Sequence, residues 1–487
     1  MIPSRDALVR QTLDGTVRVF LAEALLVPTG LATAAFLTRR LGPAGYGLFA
    51  LSATVVAWIE WGVAAFFSRA AIKIVSEAED WRPAARAVLW LHLAMSLVTA
   101  AALWAGAPAL AALLGEPALA GYLRLFAIEI PLFSAAQAQR SILIGRGDFR
   151  PRAVASAGRW IARMVMIIFL VDAGLAVPGA ILGSIGATLV ELAIGRYYVR
   201  IPLRGPAAFP REQLWTYGLP LFVFAVAARL YDRLDLLLLK ALGGTAAQAG
   251  FYGGAQNLAL MPGIFALSFS PLLLSTLIRA VRAGLGESAR GMGQDAMRLV
   301  FLLLPFAALT SGTADELVVL LLGPVFRPAG PLLALLIFGA IALTMISVAT
   351  AVLTAAERPA WTVGLAVPML AAAMAGHMAL IPRWGSLGAA LVTTVVAVGG
   401  AVAATAAVAR VWRILPPRAT VLRSLAVSAG AYMAAVLWPA SGPLLLVKLS
   451  VISLTCAGTL AALGEFRLQV RPFWSTLGVG GAVERER

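Results

Sequence analysis

Cysteine, histidine and charge are all scarce in this chain. Its 487 residues include one cysteine, two histidines and only 13% charged side chains. A lone Cys456 excludes an internal disulfide, and its apolar neighbours read it as a small packing residue. His92 and His377 each stand in apolar segments without metal-ligand spacing, so they read as core or interfacial packing. No Walker string is present. The glycine-rich strings fall inside apolar runs, as helix-packing residues do, so no nucleotide or other cofactor is expected.

What is present is apolar. The chain is 61% hydrophobic, with a mean hydropathy of +0.89. A soluble chain is about half apolar and one quarter charged. This much apolar surface requires a bilayer, and a helix needs about 20 apolar residues to cross one. Long continuous runs rather than short alternating ones exclude a β-barrel. The expected fold is an all-α polytopic membrane protein of fourteen spans. These are placed at 17–37, 47–67, 87–113, 121–143, 153–171, 177–197, 214–240, 249–277, 297–321, 330–355, 361–381, 386–409, 422–439 and 443–464. Val17 to Leu37 reads as the first membrane helix, too long for a signal peptide.

The net charge of +16 would suggest nucleic acid in a soluble protein. Here the basic residues sit in short loops, as the positive-inside rule requires, and no nucleic-acid partner is expected. With the N-terminus inside, 29 Lys and Arg fall on cytoplasmic segments and seven on outer ones, which also places the C-terminus inside. Every outer loop is short, so no soluble domain is inserted.

The second half echoes the first. Gly183-Ser-Ile-Gly-Ala-Thr-Leu-Val190 and Gly385-Ser-Leu-Gly-Ala-Ala-Leu-Val392 share six of eight residues, 202 positions apart. Leu41-Gly42-Pro43-Ala-Gly45-Tyr46-Gly47 follows span one, and Leu242-Gly243 with Gly250-Phe-Tyr-Gly253 follows span seven. Arg150-Pro151 precedes span five, and Arg358-Pro359 precedes span eleven. Pairs at 1/7, 5/11 and 6/12 imply two parallel six-helix lobes, 1–206 and 207–412, followed by a final helix pair and tail, 413–487.

Ionisable residues at membrane depth mark either function or a partner. Glu23, Glu60, Glu129, Arg163, Glu191, Arg229, Asp232, Arg233 and Asp235 qualify, nearly all in the first lobe and span seven. Arg229, Asp232 and Arg233 share a helix face, either as an interfacial ion-pair cluster or as part of an outer gate or cation site. Glu60 lies about 20 Å into span two, suited to proton coupling or to a neighbouring-helix contact. Glu23, Asp232 and Asp235 are further ion-coupling candidates. Arg163 has no carboxylate three or four residues away. Its guanidinium suits a pyrophosphate, or else pairs with Glu23, Glu129 or Glu191 across helices. Gln137, Gln139, Gln256 and Asn257 suit sugar hydroxyls or interhelical bonding.

The strings Tyr217-Gly-Leu-Pro-Leu-Phe, Leu230-Tyr-Asp-Arg-Leu-Asp with Lys240-Ala-Leu-Gly-Gly, Gly250-Phe-Tyr-Gly and Arg39-Arg40-Leu41-Gly42-Pro43 carry a resemblance. They resemble the polysaccharide-transporter family of oligosaccharide flippases, in the multidrug/oligosaccharidyl-lipid/polysaccharide flippase superfamily. The resemblance covers essentially the whole chain. It implies a non-enzyme that moves an undecaprenyl-pyrophosphate-linked glycan across the bacterial cytoplasmic membrane, driven by a proton or sodium gradient. A cationic cavity would hold the pyrophosphate, with Arg163, Arg140 and Arg229 as its candidates. Membrane lipids and glycan polymerase or assembly proteins are the implied partners. A cation-coupled multidrug antiporter of the same superfamily is the alternative.

Overall fold

The computed structural model describes residues 18–78, 80–201, 233–356, 358 and 360–465. The expected span 214–240 lies mostly outside them, as do Arg229 and Asp232. All regular structure among the described residues is helical. A helical stretch at 18–24 leads into α1 (Leu26–Glu77), followed by α2 (Trp81–Leu113), α3 (Ala118–Phe126), α4 (Glu129–Gly145), α5 (Phe149–Leu170) and α6 (Ala176–Tyr198). Beyond a helical stretch at 233–241 come α7 (Ala246–Ala259), α8 (Met261–Arg282), α9 (Gly286–Phe301), α10 (Leu304–Gly312) and α11 (Ala314–Leu322). The chain continues with α12 (Gly330–Ala355), α13 (Ala360–Trp412), α14 (Arg418–Leu437) and α15 (Pro443–Ala462).

Nine helices among the described residues are long and apolar enough to cross a membrane, against fourteen expected spans. Three of them run for 48, 50 and 49 residues. At 1.5 Å per residue each would measure about 75 Å, more than twice the bilayer core. Each is broken at a glycine of positive φ: Gly42 (φ 65°), Gly174 (φ 93°) and Gly385 (φ 55°). Only glycine takes that region without steric cost, so these positions divide two spans that backbone geometry otherwise runs together.

The breaks re-register the internal echo. Gly385 has φ 55° and ψ −131°. Its conformational match is Ala176, at φ 46° and ψ −132°, not Gly183. Three residues on, Gly388 lies against the Leu380 carbonyl and Gly179 against the Leu170 carbonyl, where an added Cβ would sit at 2.4 and 2.9 Å. The helices at the 6/12 pair therefore correspond through Gly179-Ala-Ile-Leu and Gly388-Ala-Ala-Leu, 209 positions apart. That offset is within one residue of the 208 that separates Arg150 from Arg358. Gly183 instead lies inside α6, pressed on the backbone of Ile167.

The chain forms two compact units. One comprises Met1–Leu258, Leu321–Leu332 and Leu370–Thr393, and the other Ala259–Leu320, Leu333–Met369 and Thr394–Arg487. In the first, α1 and α7 cross with almost no separation. A Cβ on Gly47 would lie 2.0 Å from the Ala246 carbonyl oxygen, and one on Gly250 would lie 1.9 Å from the Pro43 carbonyl oxygen. Thr245 and Gln248 form a reciprocal cap that starts α7: the Thr245 amide donates to Gln248 Oε1 at 3.0 Å, and the Gln248 amide to Thr245 Oγ1 at 3.1 Å. His92 packs as expected, on Phe67 and at 3.1 Å from Ser134 Oγ.

The second unit is built on an aliphatic core that includes Met297, Val300, Val348, Val352, Ala404 and Val408. The closing helices α14 and α15 join it through Leu309, Ala431, Ala435, Ile452 and Cys456, so the lone cysteine is a packing residue. Lys448, inside the expected span 443–464, is buried. It donates to Glu316 Oε2 at 2.5 Å, because a buried ammonium requires its anion. Just past α15, Glu465 accepts from Thr420 Oγ1 (2.7 Å), Arg298 Nε (2.9 Å) and Arg423 Nη1 (2.8 Å). These donors hold its carboxyl below the ordinary range against the opposing effect of burial.

Two measurements check these features. Gly250→Ala should lower the thermal midpoint of the purified protein through overpacking costing about 1–3 kcal/mol, whereas Gly458→Ala, with open space around it, should not. Glu465 has a lowered pKa when folded, so its contribution is complete above the ordinary carboxylate range and is lost as pH falls through the folded value. The stability gap between wild type and Glu465→Gln should therefore be present near neutrality and close on acidification.

Candidate functional site

Three helices of the first unit each turn a polar face toward the others. On α5, Arg152, Ser156, Arg159 and Arg163 recur at intervals of four, three and four residues, which places them on one side. Helix α4 contributes Glu129, Phe133 and Arg140, and α6 contributes Thr188 and Glu191 one turn apart.

Glu191, 2% exposed, is the centre of the group. Arg140 Nε lies 2.9 Å from its Oε1, and Arg159 Nε lies 3.5 Å from its Oε2. Arg159 Nη2 also lies 3.8 Å from Glu129 Oε1, which accepts from Thr188 Oγ1 at 2.8 Å. Both guanidiniums cover the Phe133 ring, with centroid distances of 4.9 and 4.8 Å. This ring contact adds a cation–π attraction and fixes the direction of both planes.

Glu23, just before α1, completes the end of the group nearest the start of α5. It accepts from Arg152 Nη2 at 3.1 Å, Ser156 Oγ at 2.9 Å and Trp160 Nε1 at 3.3 Å. At the other end stand two charges without such closure. Arg163 Nε and Glu60 Oε1 are buried and make no hydrogen bond among the described residues. Each lies within Coulombic reach of the other, and both feel Glu129 and Arg159. The cluster thus holds four guanidiniums (Arg140, Arg152, Arg159 and Arg163) and four carboxylates (Glu23, Glu60, Glu129 and Glu191). It is a balanced polar core rather than a strongly cationic vestibule.

A second buried group forms around Asp235, 3% exposed. Tyr252 donates to its Oδ2 at 2.5 Å, Thr393 to the same oxygen at 3.1 Å, and Gln256 Nε2 at 3.3 Å. His377, also buried, lies within Coulombic reach of it. Every hydrogen bond to this carboxylate in the described structure comes from a neutral donor. No group of three metal-ligating side chains occurs among the described residues.

The structure divides the sequence-predicted residues between these groups. Arg140, Arg163, Glu60 and Glu23 meet in the α4–α5–α6 cluster. Gln256 belongs with Asp235, which already takes up its amide as a donor. Gln137 donates to Ser68 Oγ at 3.0 Å, and Asn257 donates to Tyr46 Oη at 2.7 Å while accepting from Arg233 at 3.0 Å. Arg229 and Asp232 lie outside the described residues. Arg159, inside the expected span 153–171, is a buried cluster member with a side chain 12% exposed, and its spacing from Arg152, Ser156 and Arg163 is the signal that the sequence offers. Arg152, Ser156, Trp160, Phe133, Thr188, Tyr252 and Thr393 are the other members that sequence reasoning missed.

Cutting the centre and cutting the unsatisfied end should differ. Glu191→Ala strands Arg140 and Arg159 without their shared anion and should cost about 3–5 kcal/mol. Arg163→Ala, whose Nε has no hydrogen bond to lose, should unfold within a few degrees of wild type. Thermal unfolding of the two purified variants checks the contrast, and equal losses would contradict this division.

Comparison with known proteins follows the same lines. A family model described as "Polysaccharide biosynthesis protein" matches residues 36–331. The succinoglycan biosynthesis transport protein ExoT of Rhizobium meliloti (strain 1021) is 28% identical over 243 residues, covering 48% of this chain and 47% of that protein. The match thus spans about half the length of that relative. The fold is similar to the lipid II flippase MurJ in its inward closed conformation, with a TM-score of 0.72 and 14% identity over 93% of this chain and 98% of that one. It is also similar to the Vibrio cholerae MATE transporter VcmN, with a TM-score of 0.59 and 16% identity over 84% and 99%. The family match, which covers more than half of the chain, assigns it to the polysaccharide biosynthesis protein family.

Proposed function

We propose that the protein is a flippase carrying an undecaprenyl-pyrophosphate-linked oligosaccharide from the inner to the outer leaflet of the bacterial cytoplasmic membrane. It serves surface polysaccharide synthesis and works by alternating access between lobes 1–206 and 207–412, with both termini cytoplasmic. Family membership supports a role in polysaccharide biosynthesis. The observation that carries the substrate class is Arg163, a buried guanidinium whose Nε lacks a partner, beside two more whose anion is a side-chain carboxylate.

A diphosphate presents the same planar oxygen pairs as a carboxylate and more charge. It displaces Glu191 from Arg140 and Arg159 and engages Arg163 directly. Gln139, whose Oε1 has no hydrogen-bond partner among the described residues, supplies an acceptor for a sugar hydroxyl. No bond is made or broken in the cargo, so the protein does no chemistry of its own. Coupling to a proton or sodium gradient falls to the carboxylates with the least ionic compensation. These are Glu60 in the cluster and Asp235 among its neutral donors.

The MATE-like fold keeps a cation-coupled multidrug antiporter as the second reading. A deletion strain separates the two. A glycan flippase leaves drug susceptibility unchanged and traps lipid-linked glycan on the cytoplasmic side. Within that strain, Arg163→Ala should restore membrane-inserted protein but less than about a tenth of surface glycan. Full surface glycan from this variant would overturn the assignment of Arg163.

A further inference from the structure

Helix α5 has a second face, which the buried cluster does not use. Arg150, Val154, Ile161, Val165 and Phe169 follow one another along it, and the four apolar members are 40%, 48%, 53% and 70% exposed. At the Arg150 end, α5 and the helical stretch at 18–24 border an open groove of about 560 Å³, lined by Arg18, Ala22, Arg150, Ala153, Val154 and Ala157. Its floor is small because three of its six residues are alanines. Its mouth is cationic, with one exposed arginine on each wall.

These two arginines differ from the third nearby. Arg152 is committed to Glu23 and Ser156 on the inner side of α5. Arg18 and Arg150 have no ion-pair partner among the described residues. A guanidinium on each side of a slot suits a tetrahedral oxyanion, which offers oxygens in both directions. The apolar stripe that continues from the slot suits a hydrocarbon chain. Headgroup oxyanion and membrane-depth chain joined at this spacing describe one ligand class.

We propose that this groove binds the phosphoryl headgroup of a membrane lipid between Arg18 and Arg150, with its chain laid along the exposed stripe of α5. The site stands on the lipid-facing side of the helix whose inner side carries Arg159 and Arg163. Two lipids share the chemistry, a bulk anionic phospholipid and a polyprenyl diphosphate.

Native mass spectrometry of the full-length purified protein tests the site by counting retained lipid, without any transport measurement. Phosphatidylglycerol, polyprenyl diphosphate and phosphatidylcholine are offered separately. At least one anionic lipid should be retained tenfold or more over phosphatidylcholine, and the better retained of the two identifies the source. The Arg18→Gln/Arg150→Gln double variant should lose that preference at least tenfold, while Arg290→Gln, an exposed arginine of α9, should keep it. Ala157→Trp fills the groove without altering charge and should also lower retention. Inorganic pyrophosphate in hundredfold excess should displace the lipid. Unchanged retention by the double variant overturns the proposal. So does an equal loss in Arg290→Gln, or failure of pyrophosphate to compete.

Discussion

Inside a bilayer no water solvates a guanidinium, so each buried arginine must have an anion within the protein. That requirement organises the first compact unit. One carboxylate, Glu191, serves Arg140 and Arg159 together, Phe133 backs both, and Glu129, held by Thr188, adds a second anion beside Arg159. The second unit obeys the same constraint with Lys448 on Glu316 and with Arg298 and Arg423 on Glu465. Such pairs add little net stability. Attraction of about 4 kcal/mol at 4 Å in an effective dielectric of 20 is set against a desolvation cost of several kcal/mol per ion. Their near-cancellation suits a site that exchanges anions. In the proposed transport cycle a phosphate would replace a carboxylate at small net cost, whereas an unpaired cationic pocket would be expensive to maintain between cargoes.

The sequence makes the fold legible wherever a single physical rule operates. Apolar run length against bilayer thickness gives the all-helical membrane class. Isolation in apolar context gives His92 and Cys456 as packing residues. Where two rules compete, reading by residue alone goes astray. Arg159 and Lys448 stand toward the ends of the expected spans 153–171 and 443–464, where counting loop charges does not separate them from surface residues, whereas each is buried on a carboxylate supplied by another helix. Nothing within four residues of either discloses that partner. Arg163 shows the converse: its lack of a local carboxylate was visible, and its Nε is unsatisfied in the folded chain as well. The amides Gln137, Gln256 and Asn257 were read as sugar-facing. Their partners lie 21 to 211 positions away in sequence, beyond the reach of any spacing argument.

The echo between the halves gives a similar lesson. Identity of letters favoured an offset of 202, because Gly, Ala, Leu and Val recur often enough to match two turns out of phase. Backbone conformation selects 209, because the requirement for positive φ at the break is harder to meet by chance than a small side chain within a helix. Ala176 meets that requirement at a strain that Gly385 avoids. In the first half the break joins that alanine to Gly174, a glycine of positive φ two residues before it.

The crossing of α1 and α7 has one further property. Pro43 and Gly47 face Gly250 and Ala246, and the contact is reciprocal: each glycine abuts the carbonyl four residues before the other. Residue 43 stands to 246 as 47 stands to 250, at a constant separation of 203. A contact in which each side meets the other's counterpart is isologous, the kind made by two copies about a two-fold axis. A side chain added at either glycine would therefore meet one carbonyl only, so that a change at one position strains half of the crossing.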